Sequence, residues 1–190
     1  MRVNIMIVGV GGQGTLLASR ILGAAFLSQG CDVKVSEVHG MSQRGGSVVT
    51  YVRCGDEVAS PVICRGEADV LLSFEQLETA RWLPYLKKGG IVISSTQRIN
   101  PMPVIMGAAE YPENIPEKIR AKGVELVMAD ALTEAERCGN AKASNVVLIG
   151  VFAKHSGLPK DIFLDAVRRC VPPKFLELNL AAFEAGYAIG

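Results

Sequence analysis

Missing from this 190-residue chain is any excess of one charge: 20 Lys and Arg stand against 19 Asp and Glu, a formal net charge of +1. That balance argues against the concentrated basic footprint of a nucleic-acid binder. Paired cysteines are missing too. The five cysteines (Cys31, Cys54, Cys64, Cys138, Cys170) are scattered, and none forms a C-x-x-C pair. Such spacing argues against a zinc site or a self-contained iron–sulfur cluster, and no metal is expected on this chain. Histidine is scarce, with only His39 and His155. Neither H-E-x-x-H nor G-x-S-x-G occurs, which removes the commonest metalloprotease and serine-hydrolase signatures. Long apolar runs are absent as well. The first stops at Gly9, and the longest later one, Val146 to Ala153, is far too short to span a bilayer. No secretory signal or membrane partner is expected, and the chain reads as soluble and cytoplasmic.

What is present is a large apolar fraction, 49% of residues, enough for one domain with a core of its own. The chain opens on the apolar run Val3 to Val8 and passes directly into Gly9-Val10-Gly11-Gly12-Gln13-Gly14. A helical pattern follows from Thr15 to about Gln29. A G-x-G-x-x-G turn after a buried strand and before a helix marks an α/β fold. The glycines allow a tight turn and close approach, and the helix N-terminus offers free N–H groups to an anion. Further strands are expected at Asp32–Glu37, Ser47–Arg53, Ala68–Ser73, Ile91–Ser94 and Val124–Met128. Glu57 to Ile63 reads as a short returning strand, with Pro61 placing it at an edge. Helices are expected over Phe74–Leu86, where Lys87 to Gly90 ends the helix, and over Ala131–Arg137. The C-terminal third is helical: Ser144–Ser156, Asp161–Val171 and Lys174 to about Ala185. The architecture implied is a three-layer Rossmann-like domain with a mostly parallel, mixed sheet.

A dinucleotide-binding fold places an acid about 20 residues beyond the glycines, on the ribose hydroxyls. Glu37 stands 23 residues after Gly14. The loop that follows, Val38-His39-Gly40-Met41-Ser42-Gln43-Arg44-Gly45-Gly46, is unlike a dehydrogenase. It carries an imidazole, a guanidinium, polar donors and three glycines at the ligand-binding edge of such sheets. Gly9, Gly11, Gly12, Gln13, Gly14, Glu37, Ser42, Gln43, Gly45 and Gly46 are therefore the candidate cofactor-binding residues. His39 and Arg44 are the candidates for chemistry, with no catalytic role assigned. Glu75 and Glu78 read as solvated helix residues, and Asn145 as the cap of the helix it opens.

Taken together, the glycine turn, the loop Glu37 to Gly46, Ala68-Asp69-Val70-Leu71-Leu72 through Gly89-Gly90, Asn145, and Asn179 with Ala182-Phe183 and Gly186 resemble one family. It is the small (gamma or beta) subunit of 2-oxoacid:ferredoxin oxidoreductases. The loop looks most like that of the indolepyruvate branch, and the resemblance runs from about residue 3 to 186. It implies one gamma-type domain over residues 1–190 in an assembly that oxidatively decarboxylates an arylpyruvate to an acyl-coenzyme A. Thiamine diphosphate, Mg2+ and iron–sulfur clusters would belong to a larger alpha-type subunit, which passes electrons to ferredoxin. The cysteine spacing agrees, and no G-D-G motif of the thiamine-diphosphate type is present. The competing readings are a self-sufficient nucleotide-binding protein or NAD-linked dehydrogenase, and a regulatory module whose glycine turn is only structural.

Residues Thr96 to Pro116 hold four prolines and read as an irregular excursion. Its Ile99, Met102, Val104, Ile105, Met106 and Tyr111 are too apolar for a free loop. The domain itself, a second copy in a homodimer, or a partner subunit should cover them.

Overall fold

In the computed structural model, which describes residues 1–37, 42 and 45–190, the run Val3–Val10 forms strand β1, with Ile5, Met6, Ile7 and Val8 all fully buried. A strand buried on both faces has no need of polar alternation, which is why Ile5 to Val8 are continuously apolar. The remaining strands are β2 (Asp32–Glu37), β3 (Ser47–Gly55), β4 (Ala68–Ser73), β5 (Leu86–Ser95) and β6 (Glu125–Ala129). They form a six-stranded sheet in the order β2-β3-β1-β4-β5-β6. β4, β5 and β6 run parallel to β1, while β3 lies antiparallel between β1 and β2. The mixed sheet expected from the sequence is thus present.

Its source differs from the expectation. Glu57 to Ile63 forms no strand; β3 pairs on both sides with β1 and β2 instead. The segment has other partners. The Asp32 carboxylate accepts the Val58 N–H at 2.8 Å, and the Arg53 guanidinium binds the carbonyls of Ser60 and Val62. Val58 and Ile63 are buried, while Pro61 has no N–H to give a ladder.

Eight α-helices are described: α1 (Thr15–Ser28), α2 (Gln76–Trp82), α3 (Met102–Ile105), α4 (Ile115–Arg120), α5 (Ala131–Arg137), α6 (Ser144–His155), α7 (Lys160–Cys170) and α8 (Leu176–Ile189). The helix expected to run to Leu86 is shorter, giving way at Leu83–Tyr85 to a 3-10 turn around Pro84. Lys87 to Gly90 do not separate a helix from a strand; they lie inside β5. One face of the sheet packs Ile5, Ile7, Val70, Leu72 and Ile93 against α1, α6, α7 and α8. The other packs Met6, Val8, Leu71 and Val92 beneath Trp82, Leu83 and Tyr85. From Asn145 to Ala153 every residue of α6 is buried, as befits a helix apolar all round. Among the described residues no helix is long and apolar enough to cross a membrane.

Candidate functional site

From β1 the chain crosses through α1 to β2 on one side of the sheet, and from β4 through α2 to β5 on the other. The neighbouring ends of β1 and β4 are therefore the point where the winding reverses, where open α/β sheets bind ligands. Here that crevice holds a side chain of the protein itself. The Gln13 Oε1 accepts the Val10 N–H at 2.7 Å, and its Nε2 donates to the Phe74 carbonyl at 2.9 Å and to Gln97 Oε1 at 2.8 Å. One amide thus ties together the ends of β1, β4 and β5. Gly9 leaves room for this bonded amide, because an added Cβ would stand 2.7 Å from Gln13 Oε1 and displace it.

Gly14 closes the turn at φ 84°, and its missing Cβ leaves room for Asn145, whose Nδ2 donates to the Gly14 carbonyl at 3.1 Å. Asn145 is accordingly not the cap of α6. It lies inside that helix and pins the glycine turn across 131 residues of sequence. Gly12 also takes a positive φ, 100°. The Gly11 N–H donates to the Gly46 carbonyl at 2.9 Å, and the Gly46 N–H donates to the Ser42 carbonyl at 3.0 Å. The glycine turn and the described end of the loop, Ser42, Gly45 and Gly46, therefore share one edge, where Val10 pairs with Ser47. His39, Gln43 and Arg44 lie outside the described residues. Glu37 Oε1 accepts the Ser19 hydroxyl at 2.8 Å. It lines a groove of about 580 Å³ with Arg20, Ala24, Leu27 and Val35.

Two acids overturn the expectation of solvated helix residues: Glu75 is 1% exposed and Glu78 4%. The reason is that α2 begins against the sheet edge, so its first turn needs internal partners. Glu75 caps α2 by accepting the Glu78 N–H at 2.9 Å, and also takes the Ile99 N–H at 3.1 Å and the Tyr111 hydroxyl. Burial and this carboxylate together push the Tyr111 phenol above its usual range. The Arg98 guanidinium lies over the Tyr111 ring, 4.4 Å from its centre. Glu78 accepts the Ser47 hydroxyl, Arg81 Nε at 3.0 Å and Trp82 Nε1 at 3.2 Å. Sequence reasoning found neither the Glu75–Tyr111 pair nor the Gln13–Gln97 pair. Both join segments far apart in the chain, and a buried acid carries no local signal.

Among the described residues no group of three His, Cys, Asp or Glu side chains could hold a metal ion. The five cysteines are free, and burial pushes the Cys54 thiol up to about 12, with a contribution from the neighbouring Cys31.

Fold and edge together define a Rossmann-like α/β domain with an antiparallel strand inserted beside β1 and a switch point closed by its own glutamine. The chain belongs to the pyruvate ferredoxin/flavodoxin oxidoreductase family, whose model matches residues 4–189. It is similar to indolepyruvate oxidoreductase subunit IorB of Thermococcus kodakarensis, at 45% identity over 96% of this chain and 93% of that protein. The subunit of the same name from Archaeoglobus fulgidus is 40% identical, over 98% of this chain and 94% of the relative. Among solved structures, the keto/oxoacid ferredoxin oxidoreductase gamma subunit of Geobacter sulfurreducens superposes with a TM-score of 0.73 at 25% identity. That match covers 98% of this chain and 97% of the other.

Proposed function

We propose that this chain is the small subunit of an indolepyruvate- or arylpyruvate-oxidising 2-oxoacid:ferredoxin oxidoreductase, acting as one gamma-type domain over residues 1–190. A larger alpha-type subunit holds the thiamine diphosphate, Mg2+ and iron–sulfur clusters. The assembly releases CO2 from the oxoacid, passes its electrons to ferredoxin and hands the acyl group to coenzyme A. The observation that carries this reading is the similarity to IorB subunits across nearly the full length of both chains. Two features of the chain support a non-autonomous role. Gln13 fills the crevice that a dinucleotide would need, which disfavours the dehydrogenase reading. The cysteines are too far apart in sequence to ligate a cluster by themselves.

In this reading the edge formed by Gly9 to Gly14 with Ser42, Gly45 and Gly46, and the loop residues His39, Gln43 and Arg44, faces the larger subunit and the approach of substrate or coenzyme A. The chain works in the cytoplasm. The test is reconstitution: this chain and its larger subunit, expressed separately and together, assayed with indolepyruvate, coenzyme A and ferredoxin. Activity is expected only from the pair, and NAD is expected to leave the melting temperature of this chain unchanged. Oxoacid oxidation or an iron–sulfur absorption spectrum from this chain alone would overturn the proposal.

A further inference from the structure

At the opposite edge of the sheet, where the parallel strands begin, β4 and β5 fall out of step. Val70 pairs with Ile91 and the register then holds to Ser73 with Ser94, yet Ala68 pairs with Leu86. Between those pairs β4 advances two residues and β5 five, so three residues, Lys87, Lys88 and Gly89, are surplus. Surplus residues in a ladder lose their cross-strand pairing and turn their side chains in new directions. Gly89, at φ 77°, makes the excursion possible. Across from it the chain leaves α4 through Lys122 and Gly123, the latter at φ 72°, before entering β6.

The six-residue α4 ends before this turn, and the turn, the bulge and the end of α2 border one gap. A cavity of about 620 Å³ remains there, within the range of small-molecule sites. Its floor is apolar: Ala80, Leu83, Leu86 and Val124. Its charged rim is Lys88, Lys122 and Glu125, while Lys87 is already paired with Asp69. Among the described residues none of these three rim side chains has a hydrogen-bond or ion-pair partner. Two unmatched ammonium groups against one carboxylate leave a surplus of one positive charge over an apolar floor. Inorganic phosphate would waste that floor, and a neutral apolar molecule would leave the charge unanswered.

We propose that this cavity binds a small organic monoanion, its aromatic or branched acyl body on Leu83, Leu86 and Val124 and its carboxylate held by Lys88 and Lys122. The site is separate from the glycine-turn edge and does not depend on the subunit role argued above.

Calorimetric titration of the full-length chain with indole-3-acetate, 4-methylpentanoate, indole-3-acetamide and inorganic phosphate tests it. One of the two acids is expected to bind saturably at one equivalent, with the acetamide about tenfold weaker or worse. The exposed pair K88Q/K122Q, which removes no buried contact, is expected to weaken the acid by at least about tenfold with an unchanged melting temperature. Ala80→Phe, which fills the floor and leaves the lysines in place, is expected to abolish binding. No saturable binding of either acid at millimolar concentration overturns the proposal, as does equal affinity in the lysine pair variant. Phosphate binding as tightly as the acids reduces the cavity to a plain charge site and also overturns it. So does a lysine variant that loses association with the larger subunit while the wild-type chain binds neither acid, because the cavity is then a protein-docking groove.

Discussion

Single side chains do most of the joining in this molecule, and Gln13 is the clearest case. Its amide satisfies the Val10 N–H and the Phe74 carbonyl at a half-buried crevice. Gln13→Ala leaves both backbone groups without that partner, and a loss of about 1–3 kcal/mol is expected in chemical denaturation. The same variant opens the switch point, so a melting-temperature gain with NAD that wild type lacks would show that the plug alone excludes it.

Tyr111 carries a second expectation, in pH. Burial first, and then its bond to Glu75, raise the phenol above the ordinary 10.0. The folded state therefore holds this proton more tightly than the unfolded chain. The resulting stability is fully present below about pH 10 and is lost as pH rises further, toward the folded-state value. Tyr111→Phe should lower stability at neutral pH and flatten the alkaline fall, measured as melting temperature between about pH 8 and pH 11. Tyr51 and the thiols of Cys54 and Cys170 are raised as well, chiefly by burial, so the slope is expected to shrink rather than vanish.

Between elements, α6 and α8 approach closely enough to bring their backbones into contact. A Cβ on Gly186 would lie 1.9 Å from the Val147 carbonyl oxygen, and one on Gly150 would lie 2.2 Å from that of Phe183. Both obstacles are backbone, so no rotamer change can relieve them and the two helices must separate. Gly186→Ala is expected to cost about 3 kcal/mol by urea denaturation. A stability within error of wild type would mean that the helices are not packed this closely. The Gly186 signal was present in the sequence only as part of a family resemblance. Helix spacing cannot say which glycine faces a neighbour until the neighbour is known. Element boundaries were more legible: α5 spans the very residues that its pattern marks, Ala131–Arg137, where Asp130 accepts the Thr133 N–H as a cap. The misread segment, Glu57 to Ile63, failed because its carbonyls are claimed by Arg53, a partner that no local pattern names.

For the whole molecule, the excursion between β5 and α4 is anchored at its ends and bare at its middle. Ile99, Val104 and Tyr111 are half-buried, but Met102, Ile105 and Met106 are 61%, 65% and 68% exposed. The domain therefore does not cover these side chains itself, which leaves a second copy or the larger subunit as the cover expected from composition. Substituting both Ile105 and Met106 by Asp should change the stability of the chain by no more than about 0.5 kcal/mol, because neither is buried. Light scattering and co-purification with the larger subunit should then show weakened association. Undiminished association of both kinds would make the excursion merely structural.

By itself the amino-acid sequence determined the class of fold, the six strands and most of the helices in their order along the chain, and the family, though it also marked a strand at Glu57 to Ile63 that the fold does not form and left α3 unmarked. Those follow from local period, from glycines at a strand-to-helix turn and from a loop whose residues stand together in the chain. Only the tertiary structure decided that β3 inserts antiparallel beside β1, that Gln13 fills the crevice which the glycines mark, and that Glu75 and Glu78 lie inside. Each of these depends on groups tens of residues apart meeting at one strand end: Gln13 with Phe74 and Gln97, Glu75 with Tyr111, Gly14 with Asn145. Hydrophobic burial sets where such groups meet, and the cost of an unmatched buried polar atom then sets which of them must pair.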